Sequence, residues 1–268
     1  MMPTNPVLDC LMNHRSIRKF KPDPVPEEMI ESILRAGTRA ATAGSIQPYA
    51  FIVIDEPELL SKISYIGGPL SIVAVVDQYR VKRYYKLNDA PFYNDQAINL
   101  MISYWDATIA LQNVVVAAES LGLGTVYIGM ILSMNLQEAL GVPEYVVPAG
   151  LVTIGYPDEE RALRPRLPLE AVVHRNGYQI PSDRDIAAWY HKGDEAWQQR
   201  FENEWTDEQR AKSTERGVTN RAQNWTIGHY TEEFTRNQSK GVLDNIRRAG
   251  FRLPQEEESS RSPFEPTG

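Results

Sequence analysis

The chain has 268 residues with 28 basic and 35 acidic side chains, which gives a formal net charge of −7. Its apolar fraction of 42% suits a sizeable core and excludes a disordered chain, and the acidic balance disfavours general binding to nucleic acid or anionic lipid. The single cysteine, Cys10, excludes a disulfide framework and a multi-cysteine metal site. Because no uninterrupted apolar run approaches ~18 residues and the first residues lack a signal-peptide pattern, we expect a soluble cytoplasmic protein.

Helix and strand patterns alternate up to about Tyr178. Asn5 and Pro6 are typical of the cap and first residue of a helix. A second amphipathic helix is predicted from Pro26, with Gly37 placed to end it. Short β-branched runs predict buried strands at residues 51–54, 72–76, 126–128 and 151–154. This mixture indicates an α+β or α/β layered domain.

One long helix is predicted over residues 95–121, a stretch without proline or glycine. It is apolar on nearly every side around Ile109, Leu111, Val114, Val115 and Val116, so we expect it to be central and buried. Gly122 and Gly124 follow it. A dinucleotide-binding loop needs a strand before its glycines and a helix after them, and because the order here is reversed, a helix-ending turn is favoured.

The composition changes beyond Ile180. Aromatic side chains lie among charged and amide residues, which predicts amphipathic helices down to about Ala249. We expect residues 1–178 to form the core, residues 179–250 a helical C-terminal excursion packed on it, and residues 251–268 a flexible tail, since residues 254–268 are rich in Pro, Glu and Ser.

Two basic segments point to phosphate binding. The segment His14–Phe20 contains Arg15, Ser16 and Arg18, and a second cluster holds Arg161, Arg164 and Arg166. Guanidinium forks and a hydroxyl suit a phosphate group, although a solvated basic turn is the alternative for the first segment alone. Between the clusters, the small-residue loop 41–48 lets backbone amides approach a flat ligand closely. The four histidines show no zinc-ligand spacing.

These motifs together resemble one family. They are the Arg-Ser-x-Arg segment, the loop ending in Gln47-Pro48, residues 117–124, Tyr127-Ile128-Gly129, Gly155-Tyr156-Pro157 and residues 164–168. In this order they are similar to the FMN-dependent nitroreductase and flavin reductase superfamily, nearest to its NADPH-preferring, oxygen-insensitive branch. The resemblance runs from about Val7 to Phe251. It implies an α+β fold with a central, mainly antiparallel sheet flanked by helices.

The resemblance also implies a homodimer with two FMN molecules, each at the subunit interface. It assigns the ribityl phosphate to His14, Arg15, Ser16, Arg164 and Arg166, and the N1 side of the flavin to Arg18, where a cation stabilises the negative charge gained on reduction. The remaining positions that it implies are Thr42, Ala43, Gly44 and Gln47 along the ring and ribityl chain, and the backbone of Ile128, Gly129 and Met130 near N5. Pro69 and Met130 replace a glutamine and a glycine of the family pattern, which puts acceptor specificity in question.

The C-terminal segment 215–225 resembles the mobile loop of that branch, in which two arginines, here Arg216 and Arg221, hold the NADPH 2′-phosphate; a solvated helix connection is the alternative. The implied reaction is ping-pong hydride transfer from NADPH to flavin N5 and on to a nitroaromatic, quinone or flavin acceptor. No dedicated protein acid or base and no metal is predicted. Alternatives are a relative that uses reduced FMN for dehalogenation or a biosynthetic step, and a non-enzymatic flavin-sensing protein.

Overall fold

The computed structural model describes residues 4–253. Its centre is a four-stranded sheet in the order β1-β2-β4-β3, and each neighbouring pair is antiparallel. The strands are β1 (Tyr49–Ile54), β2 (Leu70–Asp77), β3 (Gly124–Ile128) and β4 (Val146–Gly155). The α+β class and the antiparallel sheet are therefore confirmed.

Helices surround this sheet. They are α1 (Pro6–Met12), α2 (Glu27–Gly37), α3 (Pro57–Ile63), α4 (Gln78–Leu87), α5 (Ala97–Ser120), α6 (Leu136–Leu140), α7 (Asp183–Asn203), α8 (Asp207–Glu215), α9 (Arg221–Gln223) and α10 (Glu232–Arg248). The side chain of Asn5 accepts hydrogen bonds from the amides of Val7 and Leu8, which confirms the predicted start of α1. A 3₁₀ turn over Gly129–Ser133 follows β3 directly.

Both faces of the sheet are covered. Side chains such as Ile72, Val152 and Ile154 pack on α2 and α5, whereas Val73, Ile128 and Leu151 pack on the other face with residues of α3, α6 and the 3₁₀ turn. All residues of β2 and β4 are buried. Strands covered on both faces are expected to be continuously apolar rather than alternating, which explains why the sequence showed them as short apolar runs.

The long helix α5 is central, as predicted, but one of its faces is open. Leu111, Val114 and Val115 are fully buried. A stripe at helical spacing is exposed by 45–64%, and its members are Ile98, Met101, Trp105 and Ile109. The expectation of burial on every side is therefore wrong for this stripe, because nothing in the described chain packs against it.

By length and composition, α5 is the one described helix that could span a membrane. The sequence contains no uninterrupted apolar run of that length, since Asp106, Gln112 and Glu119 interrupt it. Core helices of soluble proteins pass the same test, and the packing of α5 against α2 and the sheet is that of a core helix.

Gly122 and Gly37 lie at the ends of two helices, where they have different roles. Gly122 has φ +82° and its amide bonds to the carbonyl of Glu119, so the predicted helix-ending turn is confirmed. The predicted end of α2 at Gly37 is also confirmed, since Gly37 is the last residue of this helix. A β-carbon there would lie 2.7 Å from Val114 Cγ2 and 3.0 Å from the ring of Phe51, so close packing of α2 on α5 requires glycine.

The C-terminal excursion consists of α7 to α10, and its end is tied to the core. Ile246 and Phe251 are buried against Leu100 and Val147, and Arg252 Nε lies 2.6 Å from Asp95 Oδ2. The predicted boundary of a flexible tail at residue 251 is thus too early, because Phe251 belongs to this apolar cluster. The predicted disorder of residues 254–268 lies outside the described residues.

Candidate functional site

The two basic segments that the sequence singled out meet in one cavity of about 810 Å³. Its basic side chains are Arg15, Arg18, Lys19, Arg161, Arg164, Arg166 and Arg200, and its acidic side chains are Glu159, Glu160 and Glu204. Seven cations and three anions give a local formal charge of 7 − 3 = +4 in a chain of net charge −7. A surplus of one sign of charge in a cleft with low-dielectric walls concentrates the field, so this cavity attracts anions.

The Arg15–Arg18 segment is positioned by β3. Ser16 forms a parallel bridge with Thr125, and the amide of Ile17 donates to the Thr125 carbonyl at 2.9 Å. His14 Nδ1 lies 2.8 Å from Glu119 Oε1, and the Thr125 hydroxyl donates to the same oxygen at 2.5 Å. Strand β3 and the end of α5 therefore fix both the backbone and the side chains of this segment.

Gly124 allows this close approach. A β-carbon at Gly124 would lie 2.8 Å from Ile17 Cγ1, 2.9 Å from its Cβ and 3.1 Å from its Cγ2. The Cβ of Ile17 cannot be moved by a change of rotamer, and Ile17 itself is buried. Glycine is hence required at this position for the segment to lie against β3.

Glu159 organises the other wall of the cavity. Its Oε1 accepts from the backbone amides of Arg18 at 2.6 Å and Lys19 at 3.2 Å, and its Oε2 accepts from Arg161 Nε at 2.7 Å. Burial tends to raise the pKa of Glu159, but the hydrogen bonds from Arg161 and from Arg18 outweigh it and the pKa is lowered. This carboxylate therefore joins the two basic segments, and the sequence analysis did not identify it.

Arg164 and Arg166 face the cavity without an ion pair to any carboxylate of residues 4–253. Burial, followed by the neighbouring charges of Arg200 and Arg18, lowers the pKa of Arg164. Cations crowded together in this way favour a multiply charged anion, and guanidinium forks match the geometry of phosphate. The arrangement suits a phosphomonoester.

Helix α7 supplies a third wall through Gln199, Arg200 and Asn203. The sequence analysis missed these residues. In an amphipathic helix rich in charge, Arg200 cannot be distinguished from the other solvated side chains, and only the packing of the excursion on the core shows that it faces the cavity.

The loop carrying Thr42, Ala43, Gly44 and Gln47 does not line this cavity within a single described chain. Asp106 of α5 accepts from the Thr42 hydroxyl at 2.6 Å and from the Ala43 amide at 3.0 Å. Gly44, Ser45 and Gln47 have φ between +50° and +58°. Two non-glycine residues in this region are a sign of local strain, which is common at ligand-binding loops.

Ile128, Gly129 and Met130 lie at the end of β3 and in the following turn. Ile128 is buried, and Met130 is 48% exposed. At ~3.3 Å per residue, Gly129 lies about 13 Å along the strand from Thr125, the partner of Ser16. A flat group connected by a short chain to a phosphate at Ser16 could reach this turn. Pro69, the other family departure, packs against Gly155, where a β-carbon would lie 2.7 Å from Pro69 Cδ.

The two arginines assigned to NADPH lie in different cavities. Arg216 lines a cavity of about 200 Å³ with Lys212 and His229, and its Nη2 donates to the Ile227 carbonyl at 2.7 Å. Arg221 lines another of about 380 Å³, with Nη1 3.6 Å from Asp194 Oδ1. The two guanidinium groups thus have different neighbours, and their assignment to NADPH stays a prediction.

Comparison with known proteins identifies a family and a fold for this chain. The Nitroreductase family matches residues 11–156. An NADPH-dependent oxidoreductase of Staphylococcus saprophyticus is 33% identical over 192 residues, covering 67% of this chain and 76% of the relative. Among solved structures, Bacillus megaterium NfrA2 has a TM-score of 0.81 at 28% identity, covering 94% of this chain and all of that one. The NADPH:FMN oxidoreductase of Vibrio harveyi has a TM-score of 0.66 at 25% identity, covering 89% and 98%.

The chain therefore belongs to the nitroreductase family and is an oxidoreductase. Relatives of this kind include the NADPH-dependent oxidoreductase of Staphylococcus saprophyticus and the NfrA protein of Bacillus megaterium. The family, the fold and the enzyme class implied by the sequence resemblance are confirmed.

We expect Gly124→Ala to destabilise the protein by about 1–3 kcal/mol, the usual cost of overpacking, because the new β-carbon displaces Ile17 from β3. Urea unfolding measures the change. Gly177→Ala is the matched control, since no atom lies within 4 Å of a β-carbon there. If the two variants unfold at the same urea concentration, Gly124 is not required by the contact with Ile17.

Proposed function

We propose that the protein is an FMN-dependent reductase that takes a hydride from NADPH and passes two electrons to a small organic acceptor. The observation that carries this proposal is the convergence of Arg15 and Ser16 with Arg164 and Arg166 on one cationic cavity. The Vibrio harveyi protein of similar fold is an NADPH:FMN oxidoreductase, which supports FMN as the ligand.

The residues present fit FMN at its phosphate end. Arg15, Ser16, Arg164 and Arg166 offer charge-assisted donors to a dianion, and the basic wall has a surplus of positive charge to neutralise. Arg18 would lie beside the N1 edge, and the turn that begins at Gly129 would lie beside the ring. Bound FMN supplies the chemistry, because its N5 accepts a hydride that it can later give to a second substrate.

The chain's own groups bind and orient under this proposal. A cation held beside N1 favours reduction by stabilising the negative charge that develops there. Glu159 holds the Arg18 backbone in place, and His14 is held by Glu119. The protons of the reaction would come from water or from the acceptor.

Arg166→Ala tests the phosphate anchor. Loss of a charged hydrogen bond should weaken FMN binding by about 1.5–3 kcal/mol, measured as the dissociation constant by fluorescence titration of the apoprotein. Arg35→Ala, which removes an exposed arginine paired with Glu31 on α2, should leave the constant unchanged. An Arg166→Ala protein that retains FMN as tightly as the wild type would refute the assignment.

The proposed enzyme works as a homodimer. Helix α5 exposes an apolar stripe, which consists of Ile98, Met101, Trp105 and Ile109. Helix α1 also exposes the apolar side chains of Val7 and Met12. An apolar face of this kind marks an interaction surface. The loop 42–47 is tied to Asp106, next to Trp105 in sequence, so pairing across the stripe would place that loop at the subunit interface. Such a dimer would explain why loop 42–47, which the resemblance assigns to the flavin, does not line the cationic cavity of its own chain.

We expect a stable dimer that buries more than ~2,000 Å². Light scattering at micromolar concentration should give twice the monomer mass of 30.4 kDa. Trp105→Asp should shift the protein toward monomer and weaken FMN retention, since a charge opposes burial of the stripe. Tyr65→Asp alters an equally exposed aromatic residue, in a segment packed on the opposite face of the sheet, and should remain dimeric. A wild-type monomer that binds FMN would contradict the proposal.

Nicotinamide choice depends on charge near the adenosine ribose, since NADPH differs from NADH by the 2′-phosphate. We assign this contact to Arg216 and Arg221, and expect roughly tenfold to hundredfold preference for NADPH in kcat/KM, reduced by solvent screening. The effect should lie mainly in KM, because the contact is remote from the hydride. Replacing both arginines with alanine should abolish the preference and leave FMN content unchanged.

Steady-state kinetics with both nucleotides on the wild type and the double variant decides the assignment. Arg236→Ala, an exposed arginine paired with Glu232 in the same excursion, is the control. Equal use of NADH and NADPH by the wild type, or an unchanged preference in the double variant, would count against it. If neither nucleotide bleaches the anaerobic flavoprotein, the enzymatic proposal fails and flavin sensing is favoured.

A further inference from the structure

One face of α10 holds the turn that follows β3. Gln238, Gly241 and Asn245 are spaced three and four residues apart, so they share one side of the helix. The Ser133 hydroxyl donates to Gln238 Oε1 at 2.5 Å. At the other end of the contact, Asn245 Nδ2 donates to the carbonyls of Leu132 at 3.2 Å and Met134 at 2.7 Å.

Gly241 shows how closely the helix and the turn approach. Glycine is a poor residue for a helix interior, yet it lies in the middle of α10. A β-carbon there would lie 2.9 Å from Ser133 Cβ, 3.2 Å from its carbonyl oxygen and 3.4 Å from its Cα. Two of these atoms are backbone, so a larger residue would displace the turn itself rather than a flexible side chain.

Asn245 is a buried donor with a fixed orientation. It is 8% exposed, and Arg248 Nη1 donates to its Oδ1 at 3.2 Å, so its amide nitrogen is the end directed at the turn. Its amide nitrogen donates to two backbone carbonyls at once, so it contacts the backbone of the turn at two points. It thereby fixes the position of the turn's last residues relative to α10.

We propose that Gln238, Gly241 and Asn245, the α10 clamp, are positioning residues for hydride transfer, acting through the turn Gly129–Ser133. The inference rests on the proposed function, which places the start of this turn beside the reactive edge of the flavin. Hydride transfer is sensitive to displacements of about 1 Å. The phosphate anchor lies elsewhere, so the clamp affects the reaction more than it affects FMN affinity.

Asn245→Asp is the sharpest test, because it keeps the size of the side chain and replaces the donor with an oxygen facing two carbonyl oxygens. We expect an FMN dissociation constant within about threefold of the wild type. The limiting rate of flavin reduction at saturating NADPH, measured anaerobically by stopped flow, should fall about tenfold or more. The flavin absorption spectrum should shift, while the apparent dissociation constant for NADPH should not. Asn88→Asp, which alters an exposed amide that donates to the Tyr84 carbonyl, should leave all four unchanged.

A folded, FMN-bound Asn245→Asp protein with the wild-type limiting rate and spectrum would overturn the inference, even if its thermal stability were lower. Where that variant does not fold, Gly241→Ala decides by the same criterion, since alanine favours the helix but displaces Ser133. Failure of the proposed function is distinguishable, because the wild type would then bind no FMN or would not be reduced by NADPH.

Discussion

The backbone pairing of residues 16 and 17 with Thr125 is the contact on which the site depends. It places a basic segment from the start of the chain at the edge of the sheet, and it is possible because Gly124 leaves room for Ile17. From this pairing, β3 runs directly into the turn that begins at Gly129. The position of the basic segment and the position of the turn are thus set by one short strand, which gives a rigid support to both.

The charge of the cavity favours an anionic ligand. The cavity has a formal charge of +4, opposite in sign to the net charge of −7 of the whole chain. Glu159 neutralises part of it and joins the two basic segments, whereas Arg164 and Arg166 stay unpaired among the described residues. Such a site is less stable alone than when filled, so binding of an anion and stability of the fold are coupled.

The C-terminal excursion is part of the site rather than an addition to a complete enzyme. Helix α7 contributes a wall of the cationic cavity, α10 contacts the turn after β3, and Phe251 closes an apolar cluster against α5. The residues that the family resemblance assigns to the nucleotide lie between these helices. Movement of the excursion would therefore affect the cationic cavity and the position of the turn together.

The sequence by itself determined the local structure and the chemistry of single segments. The Asn5-Pro6 cap, the runs that became β2 and β4, the uninterrupted α5 and the basic clusters around Arg15 and Arg166 all follow from residue spacing, because caps, apolar periodicity and charge act over a few neighbouring residues. The order of motifs also indicated the family. Only the tertiary structure decided that Ile109 is exposed while Leu111 is buried, that Arg200 and Glu159 face the cavity, and that Phe251 belongs to the core. Each of these depends on whether another part of the fold covers the residue. The contacts of Arg200, Glu159 and Phe251 join segments about a hundred residues or more apart, and sequence periodicity carries no information about such contacts.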